Sequence, residues 1–296
     1  MSNALNGINL QLIAQDSLTT LLAEFPLISK FSTNFGGDIA VKGESVTTRI
    51  ASAVTATDLS GGYSPTAVNS TARQVILNKH KGFVMGFSDG EVAKGGYDVL
   101  RKTFMRPAAH AVSKAVLDDI FGLVTASNYP NTAYTGSIAA FDADAVAGVS
   151  QYLTDLNVPQ ADRVLIVKPA LYTSLARDNA IQAQYASGTN APLTENLLPR
   201  IHGFEVNQYS ALPDVESNNL KGVACNPESI IIAARLPAAP EGWYGSVATA
   251  TDEKSGLSIQ VREWYDGVLG QQLISMSILY GVAIGNTNTL AKIIAS

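Results

Sequence analysis

The chain has 296 residues, of which 46% are hydrophobic and 15% are charged, and its formal net charge is -5. This composition indicates a globular protein with a sizeable core and excludes a disordered chain. The acidic balance provides no uniformly basic field, which argues against sequence-specific DNA binding. The single cysteine, Cys225, cannot form an internal disulfide, so we expect a reducing compartment and a small buried side chain.

The N-terminal stretch predicts a short helix and no targeting signal. It lacks the charged start and the cleavage site of a signal peptide, and no run in the chain reaches the 18 apolar residues of a membrane span. We therefore expect a soluble protein that folds in a cytoplasm. The apolar positions of this stretch are spaced like those of a short docking helix: Leu10, Ile13, Leu18, Leu21, Leu22 and Phe25.

Two polar, extended arms, residues 39–54 and 66–80, flank the loop TDLSGGYSP at residues 57–65. The Val, Ile and Thr content of the arms favours strands, and the Gly-Gly and Ser-Pro pairs of the loop predict a turn. Val46, Ile50 and Val54 share one face of the first arm, and Val68 and Ile76 are nearly alone as apolar residues in the second. Fifteen residues of strand extend about 50 Å, whereas a compact globule of this length has a radius of gyration of about 19 Å. The hairpin should therefore project from the core and lie on a neighbouring copy of the chain.

A strand, a break and a long helix follow the hairpin. Phe83, Met85 and Phe87 alternate as in a half-buried strand, after which Ser88 or Asp89 begins a helix. Pro107 indicates either a kink or a new helix start. A long amphipathic helix is predicted by apolar residues at spacings of three and four: Ala108, Val112, Val116, Ile120 and Leu123. Residues 127–140 are interpreted as a polar connection.

The middle of the chain predicts an independent α+β unit. Asp142 can cap a helix, the run at residues 164–167 is a continuous apolar strand, and Pro169 suits the first turn of another helix. The apolar side of the first of these helices is predicted to contain Val146, Val149, Leu153 and Leu156. A loop at residues 187–200, a strand within residues 203–213 and two short strands around Asn226 and Pro227 complete the unit.

The C-terminal part returns to long strands that form a hairpin. Asp266, Gly267 and Gly270 lie in the connection and predict its turn. Apolar residues alternate with polar ones on both sides of that turn: Leu257, Ile259 and Val261 before it, and Ile274, Met276, Ile278 and Tyr280 after it.

The residues that could perform chemistry form no known motif. His80, His110 and His202 are far apart in sequence and lack partners at metal-ligand spacing. Adjacent helix positions diverge by about 100°, so Asp118 and Asp119 cannot share a face, and we expect one solvated acid and one paired acid. We therefore predict no catalytic, cofactor-binding or metal-binding residue. The aromatic residues Tyr63, Tyr129 and Tyr134 are either contact anchors or ordinary loop residues.

The order of these segments resembles the major capsid protein of tailed bacteriophages, with its α+β, Hong Kong 97-like fold. The resemblance extends over about residues 31–284. The segments that carry it are VLIVKPALYTSLARD, IHGFEVNQYSALP, GVACNPESIIIAAR and SIQVREWYDGVLGQQLISMSILYGVAIGN.

The resemblance implies a division of the chain into six parts. These parts are an N-terminal arm at 1–35, an extended loop at 36–81, a peripheral domain with its spine helix at 82–130, an axial domain at 131–249, the long hairpin of the peripheral domain at 250–280, and a C-terminal strand returning to the axial domain at 281–296. The loop TDLSGGYSP would be the tip of the extended loop, which overlaps a neighbouring subunit.

The resemblance further implies a structural protein and not an enzyme. It would assemble in the host cytoplasm as hexamers and pentamers, form an icosahedral shell and reside in the virion around double-stranded DNA. Its implied partners are a scaffolding protein, a portal and, in some relatives, a decoration protein, with no membrane. Two other hypotheses stay open: the shell protein of a bacterial nanocompartment, and a soluble α/β enzyme.

Four residues of the predicted hairpin are candidate intersubunit contacts: Arg49, Asp58, Tyr63 and Arg73. The arginines could pair with acids of a neighbour, or they could be solvated charges that prevent edge aggregation. Some relatives join a lysine to an asparagine covalently, but Lys42 lies near the base of the hairpin and residues 57–65 contain no lysine, so we assign no cross-linking residue. About 35 residues precede the extended loop, which predicts an arm and a separate scaffolding protein.

Overall fold

The computed structural model describes residues 10–24, 26–31, 45–51, 56–58, 60, 62–63, 65, 68, 70–178, 181, 198–213, 219–237, 245–252 and 257–296. Its helices are α1 Leu10–Glu24, α2 Asp89–Gly95, α3 Tyr97–Phe121, α4 Ala143–Asp155 and α5 Pro169–Ala176. Its strands are β1 Ser45–Ala51, β2 Ser70–Ile76, β3 Lys79–Ser88, β4 Thr132–Gly136, β5 Val164–Val167, β6 Glu205–Gln208, β7 Leu220–Cys225, β8 Ile230–Arg235, β9 Ser246–Thr251, β10 Ser258–Asp266, β11 Gln271–Ile284 and β12 Leu290–Ala295.

The first five-stranded sheet is built around the long strand β11. Its order is β3-β11-β10-β9, and β8 pairs with the C-terminal half of β11 beyond the end of β10. The predicted C-terminal hairpin is confirmed, because β10 and β11 pair antiparallel from Gln260 opposite Ser277 to Asp266 opposite Gln271. The predicted alternation is also confirmed, since the residues Ile274, Met276, Ile278 and Tyr280 are fully buried.

Helix α3 packs against this sheet and against α1. The predicted start at Ser88 is confirmed for α2, because Ser88 and Glu91 form a reciprocal capping box. Gly96, with a φ of 73°, separates α2 from α3. Pro107 lies inside the continuous helix α3, so the alternative of a new helix start there is wrong.

The N-terminal helix α1 lies on α3 and on the edge strand β9. Ala14, Leu18 and Leu21 are buried in the main core, and the Gln11 Nε2 atom donates a hydrogen bond of 2.6 Å to the Thr249 carbonyl. The predicted helix is therefore confirmed where it is described, and it packs on its own chain. Phe25 and the side chain of Leu22 lie outside the described residues.

The second sheet has the order β4-β12-β7-β5-β6, with α4 and α5 packed against it. The predicted cap of α4 is confirmed, since the Asp142 carboxylate accepts a hydrogen bond from the Ala145 backbone N–H. The strand β5 is completely buried and Pro169 begins α5, also as predicted. The interpretation of residues 127–140 as only a connection is wrong, because β4 lies there and pairs parallel with β12.

Two connections cross between the sheets. The chain leaves β7 in the second sheet and enters the first at β8, and it leaves β11 in the first and enters the second at β12. The two connections touch at Gly285, whose N–H donates to the Ser229 carbonyl at 2.9 Å. A side chain at position 285 would overlap the Glu228 carbonyl oxygen, so the crossing requires glycine. No helix in the described part of the chain is long and apolar enough to cross a membrane.

Candidate intersubunit surfaces

The predicted hairpin exists as a two-stranded ribbon that is rooted on the first sheet. Strands β1 and β2 pair antiparallel from Ser45 opposite Ile76 to Ala51 opposite Ser70. Val46 and Val75 face each other and are 5% and 0% exposed, in a small cluster that includes Leu77 from the end of the ribbon. The residues beneath them are Ile231 and Ala233 of β8 and Ala283 of β11.

The buried apolar residue of the second arm is Val75, whereas the sequence had singled out Val68 and Ile76. Ile76 is 47% exposed and Val68 is 66% exposed, whereas Val75 between them in the pattern is completely buried. Side chains alternate between the two faces of a strand, so the burial of Val75 places Ile76 on the opposite, exposed face. The buried side of the ribbon is therefore short, and it lies at the root.

Gly281 allows the ribbon to approach β11 closely. A Cβ atom built at Gly281 would overlap the Ile76 carbonyl oxygen and lie 2.8 Å from the Ile76 carbonyl carbon and 3.0 Å from Val75 Cγ1. Both strands meet there backbone to backbone. We call Val46, Val75, Leu77 and Gly281 the hairpin root.

Beyond the hairpin root, the two predicted arginines lie on neighbouring strands. Arg73 pairs with Thr48, is exposed, and shares a face with Val75 two residues away. Arg49 pairs with Ala72, and its side chain lies outside the described residues. The structure thus brings these two residues to adjacent register positions, while their role in contacts stays a prediction.

The other two predicted contact residues lie in the connection between β1 and β2. Asp58 is exposed and accepts a hydrogen bond of 2.9 Å from the Ser60 N–H, which lowers the pKa of its carboxyl group. Tyr63 is 91% exposed and follows Gly62, whose φ is 120°. Both lie in the loop proposed as the tip, and their contacts with a neighbour stay a prediction.

The strand that leaves the hairpin is tied to α3 by a polar cluster. Asp119 Oδ1 accepts from Lys79 Nζ at 2.8 Å, and its Oδ2 accepts from the Tyr280 hydroxyl at 2.5 Å. Burial acts to raise the pKa of Asp119, but the bonds from Lys79 and Tyr280 outweigh it and lower that pKa overall. Burial, together with the neighbouring Asp119 carboxylate, raises the pKa of Tyr280. The sequence predicted that one of the two adjacent acids would be paired, without indicating which, and Asp119 is paired.

Asp118 is also paired, so the expectation of a merely solvated neighbour is wrong. Its carboxylate accepts from Lys114 one turn earlier at 2.8 Å and from the Tyr209 hydroxyl at 3.1 Å. Tyr209 follows β6 of the second sheet. The two adjacent acids therefore connect α3 to both sheets, one on each side.

The tip of the β10–β11 hairpin carries exposed apolar residues that sequence reasoning did not single out. Val268 is 94% exposed and Leu269 65% exposed, while Asp266 accepts from the backbone N–H of both. The Tyr265 hydroxyl donates to Asp89 at 2.9 Å and so attaches the tip to the start of α2. The sequence pattern around this turn drew attention to Asp266 and the glycines. It did not indicate that the two aliphatic residues beside them would be exposed.

The residues considered for chemistry are dispersed. His80, His110 and His202 are all exposed, and the described residues contain no group of three metal-ligating side chains. Cys225 is fully buried, as predicted, and burial raises the pKa of its thiol to about 12. Tyr129 is completely buried and donates to the Ser229 carbonyl, so its interpretation as a contact anchor is wrong.

One open cavity of about 550 Å³ lies between α5 and the start of α4. Two carboxylates, Asp142 and Asp178, line it, and each accepts a hydrogen bond from a backbone N–H of the first turn of α4. These acids thus have a structural role as helix caps.

Comparison with known proteins identifies the fold. No protein-family model matches the chain, and no curated protein matches it. Among solved structures, one of Mycobacterium phage Che8 is 18% identical and aligns with a TM-score of 0.58 over 89% of each chain. The capsid structure of the cyanophage P-SCSP1u is 11% identical, with a TM-score of 0.60 over 86% of this chain and 84% of the other.

A third similar structure is a virus-like particle from Pyrococcus furiosus. It is 12% identical and aligns with a TM-score of 0.56 over 95% of this chain and 97% of the other. Two sheets joined by crossing connections, a long helix and a two-stranded ribbon thus define an α+β fold. The chain has the Hong Kong 97-like fold of phage capsid proteins, as the sequence predicted.

Proposed function

We propose that the chain is the major capsid protein of a tailed bacteriophage. It assembles as hexamers and pentamers into an icosahedral shell around double-stranded DNA, and it acts by assembly and not by catalysis. The observation that carries this proposal is the match of the whole fold to the capsid structure of cyanophage P-SCSP1u over more than four fifths of both chains. The chain would reside in the virion after assembly in the host cytoplasm.

The hairpin supports this proposal physically. Its buried contacts are those of the hairpin root, while the described residues of its outer part, such as Arg73 and Tyr63, are exposed. A two-stranded ribbon is marginal in water by itself, so the outer part gains stability from a second surface. In a shell the neighbouring subunit provides that surface, which matches residues 36–81 as the extended loop.

The six-part division of the chain is part of the proposal. The first sheet with α3 would be the peripheral domain, and the second sheet with α4 and α5 would be the axial domain. Strand β8 follows β7 directly but pairs with β11 of the first sheet, so the chain crosses between the domains within residues 131–249. A scaffolding protein and a portal are proposed assembly partners, and a decoration protein is a further one.

A nanocompartment shell is the second candidate function. The alignment with the virus-like particle from Pyrococcus furiosus covers 97% of that chain, so the same architecture also occurs in a virus-like particle. The content of the particle distinguishes the two functions.

The test is to isolate particles from cells that carry the native gene neighbourhood, treat them with nuclease and extract their content. Protected double-stranded DNA of one length supports the phage shell. A protein cargo without nucleic acid supports the nanocompartment. A soluble monomer that forms no particle overturns both functions and favours the enzyme hypothesis.

A further inference from the structure

Helix α3 carries a surface row of basic residues in a protein whose net charge is -5. The basic ridge, as we call it, consists of Lys102, Arg106, His110 and Lys114, and residues 99–117 contain no Asp or Glu. Arg106, His110 and Lys114 are exposed. The backbone places Lys102 on α3, and its side chain lies outside the described residues.

The ridge has regular spacing because it follows the helix. The spacing between members is four residues for Lys102, Arg106, His110 and Lys114. Neighbouring members are therefore about 6 Å apart along the helix axis, and the whole row is about 18 Å long. The side of α3 that faces α1 and the sheet is apolar, with Val112, Val116 and Ile120 buried. The exposed side chains of Arg106, His110 and Lys114 therefore lie away from the buried side of α3.

The pairing of Lys114 does not remove it from this surface. Lys114 contacts Asp118 at 2.8 Å, but their side chains are 49% and 44% exposed. Ion pairs of this kind are weak in water and readily exchanged. Lys114 can therefore turn to a stronger anion without leaving a buried charge behind.

We propose that the basic ridge binds the phosphate backbone of double-stranded DNA and that the α3 face of the subunit looks toward the packaged genome. Duplex DNA carries one charge per about 1.7 Å of its axis, so the 18 Å ridge spans about ten phosphates. Basic side chains in a row along a helix contact phosphates and not base edges. They therefore provide affinity for DNA without sequence preference. This proposal rests on the proposed function, since it assigns one face of the shell to the cargo.

The test measures binding of the purified full chain to a fluorescein-labelled duplex of 30 base pairs by anisotropy, over a series of salt concentrations. The test variant is Arg106→Gln with Lys114→Gln. Each lost phosphate contact reduces the magnitude of the negative slope of log K against log salt by about 0.9. That magnitude should therefore fall by about 1.8, and the affinity should fall by tens of fold at 0.1 M salt. Arg106→Lys keeps the charge and should keep the slope.

The matched control is Arg177→Gln with Arg200→Gln, which removes two exposed charges outside α3 and should leave the slope unchanged. Circular dichroism verifies that each variant is folded, and electron microscopy records shell formation separately. Shells that form normally while the duplex is bound equally by the test variant and the wild-type chain overturn the ridge but not the shell. A wild-type chain that binds poly-glutamate and not the duplex also overturns it, in favour of an acidic protein segment.

Discussion

Replacing Gly281 by alanine should displace the hairpin root. The new Cβ atom would overlap the Ile76 carbonyl oxygen and lie 2.8 Å from its carbon, which are backbone atoms that cannot rotate away. β2 must therefore shift, which loosens Val75 from Ile231 and Ala233 in the small cluster beneath it. Overpacking of this kind costs about 1–3 kcal/mol of the free energy of unfolding.

The matched control is Gly267→Ala in the β10–β11 turn, where a Cβ atom would meet only Tyr265 at 4.0 Å. That variant should be neutral or slightly stabilised, because alanine restricts the unfolded chain. Thermal unfolding followed by circular dichroism compares the two variants with the wild-type chain, and particle counts by electron microscopy compare their assembly. A Gly281→Ala protein as stable as the Gly267→Ala protein, with normal shells, would contradict the close approach at the root.

Three further changes test other parts of the account. Asp119→Asn should lower the free energy of unfolding by about 1–3 kcal/mol at pH 7. Because the folded-state pKa of Asp119 is lowered from 3.8, its contribution is present above that value and lost as the pH falls through the lower one, so urea titrations should show the difference shrinking in acid. Deletion of residues 45–75 with a short Gly-Ser bridge should leave a folded core but no closed shells; wild-type-sized particles on micrographs would refute the role of the hairpin. Arg49→Glu should weaken assembly most at low salt, where exposed charge pairs are least screened, as light scattering can record; equal assembly across the salt series would instead support a solvated edge.

Local signals in the sequence identified the elements that depend on neighbouring residues. The Ser88 and Asp142 caps, Pro169 at a helix start and the alternation around Asp266 each depend on a few residues in one segment. Hydrogen-bonding and steric rules at that range are strong enough to predict the element. The long-strand hairpin was therefore predictable without the structure.

The features that sequence reasoning missed depend on contacts between distant segments. β4 was not predicted because it lies in a polar stretch and no local pattern marks its pairing. Its partner β12 comes more than 150 residues later. Because residues 75 and 76 are both apolar, the sequence did not determine which of them is buried. The contact of Val75 with the cluster that contains Ile231 determines it. The pairing of Asp118 with Tyr209 likewise joins residues 91 positions apart.

The candidate surfaces were also predictable from the sequence only where they depend on neighbouring residues. The sequence located the hairpin and its exposed Tyr63, but it could not locate the root, because Gly281 reads in sequence as one more glycine in a strand. The basic ridge was hidden for a similar reason, since residues four apart do not form a run in the sequence. Helical geometry aligns them only once α3 is known to continue through Pro107.

The central claim, that the chain builds a shell, is tested most directly by negative-stain electron microscopy of the purified wild-type protein combined with mass measurement by light scattering. The account predicts rings of five or six subunits, together with shells that are aberrant or of mixed size when no scaffolding protein is present. A monodisperse species of 31.2 kDa at high protein concentration, with no particles on the grid, would contradict it.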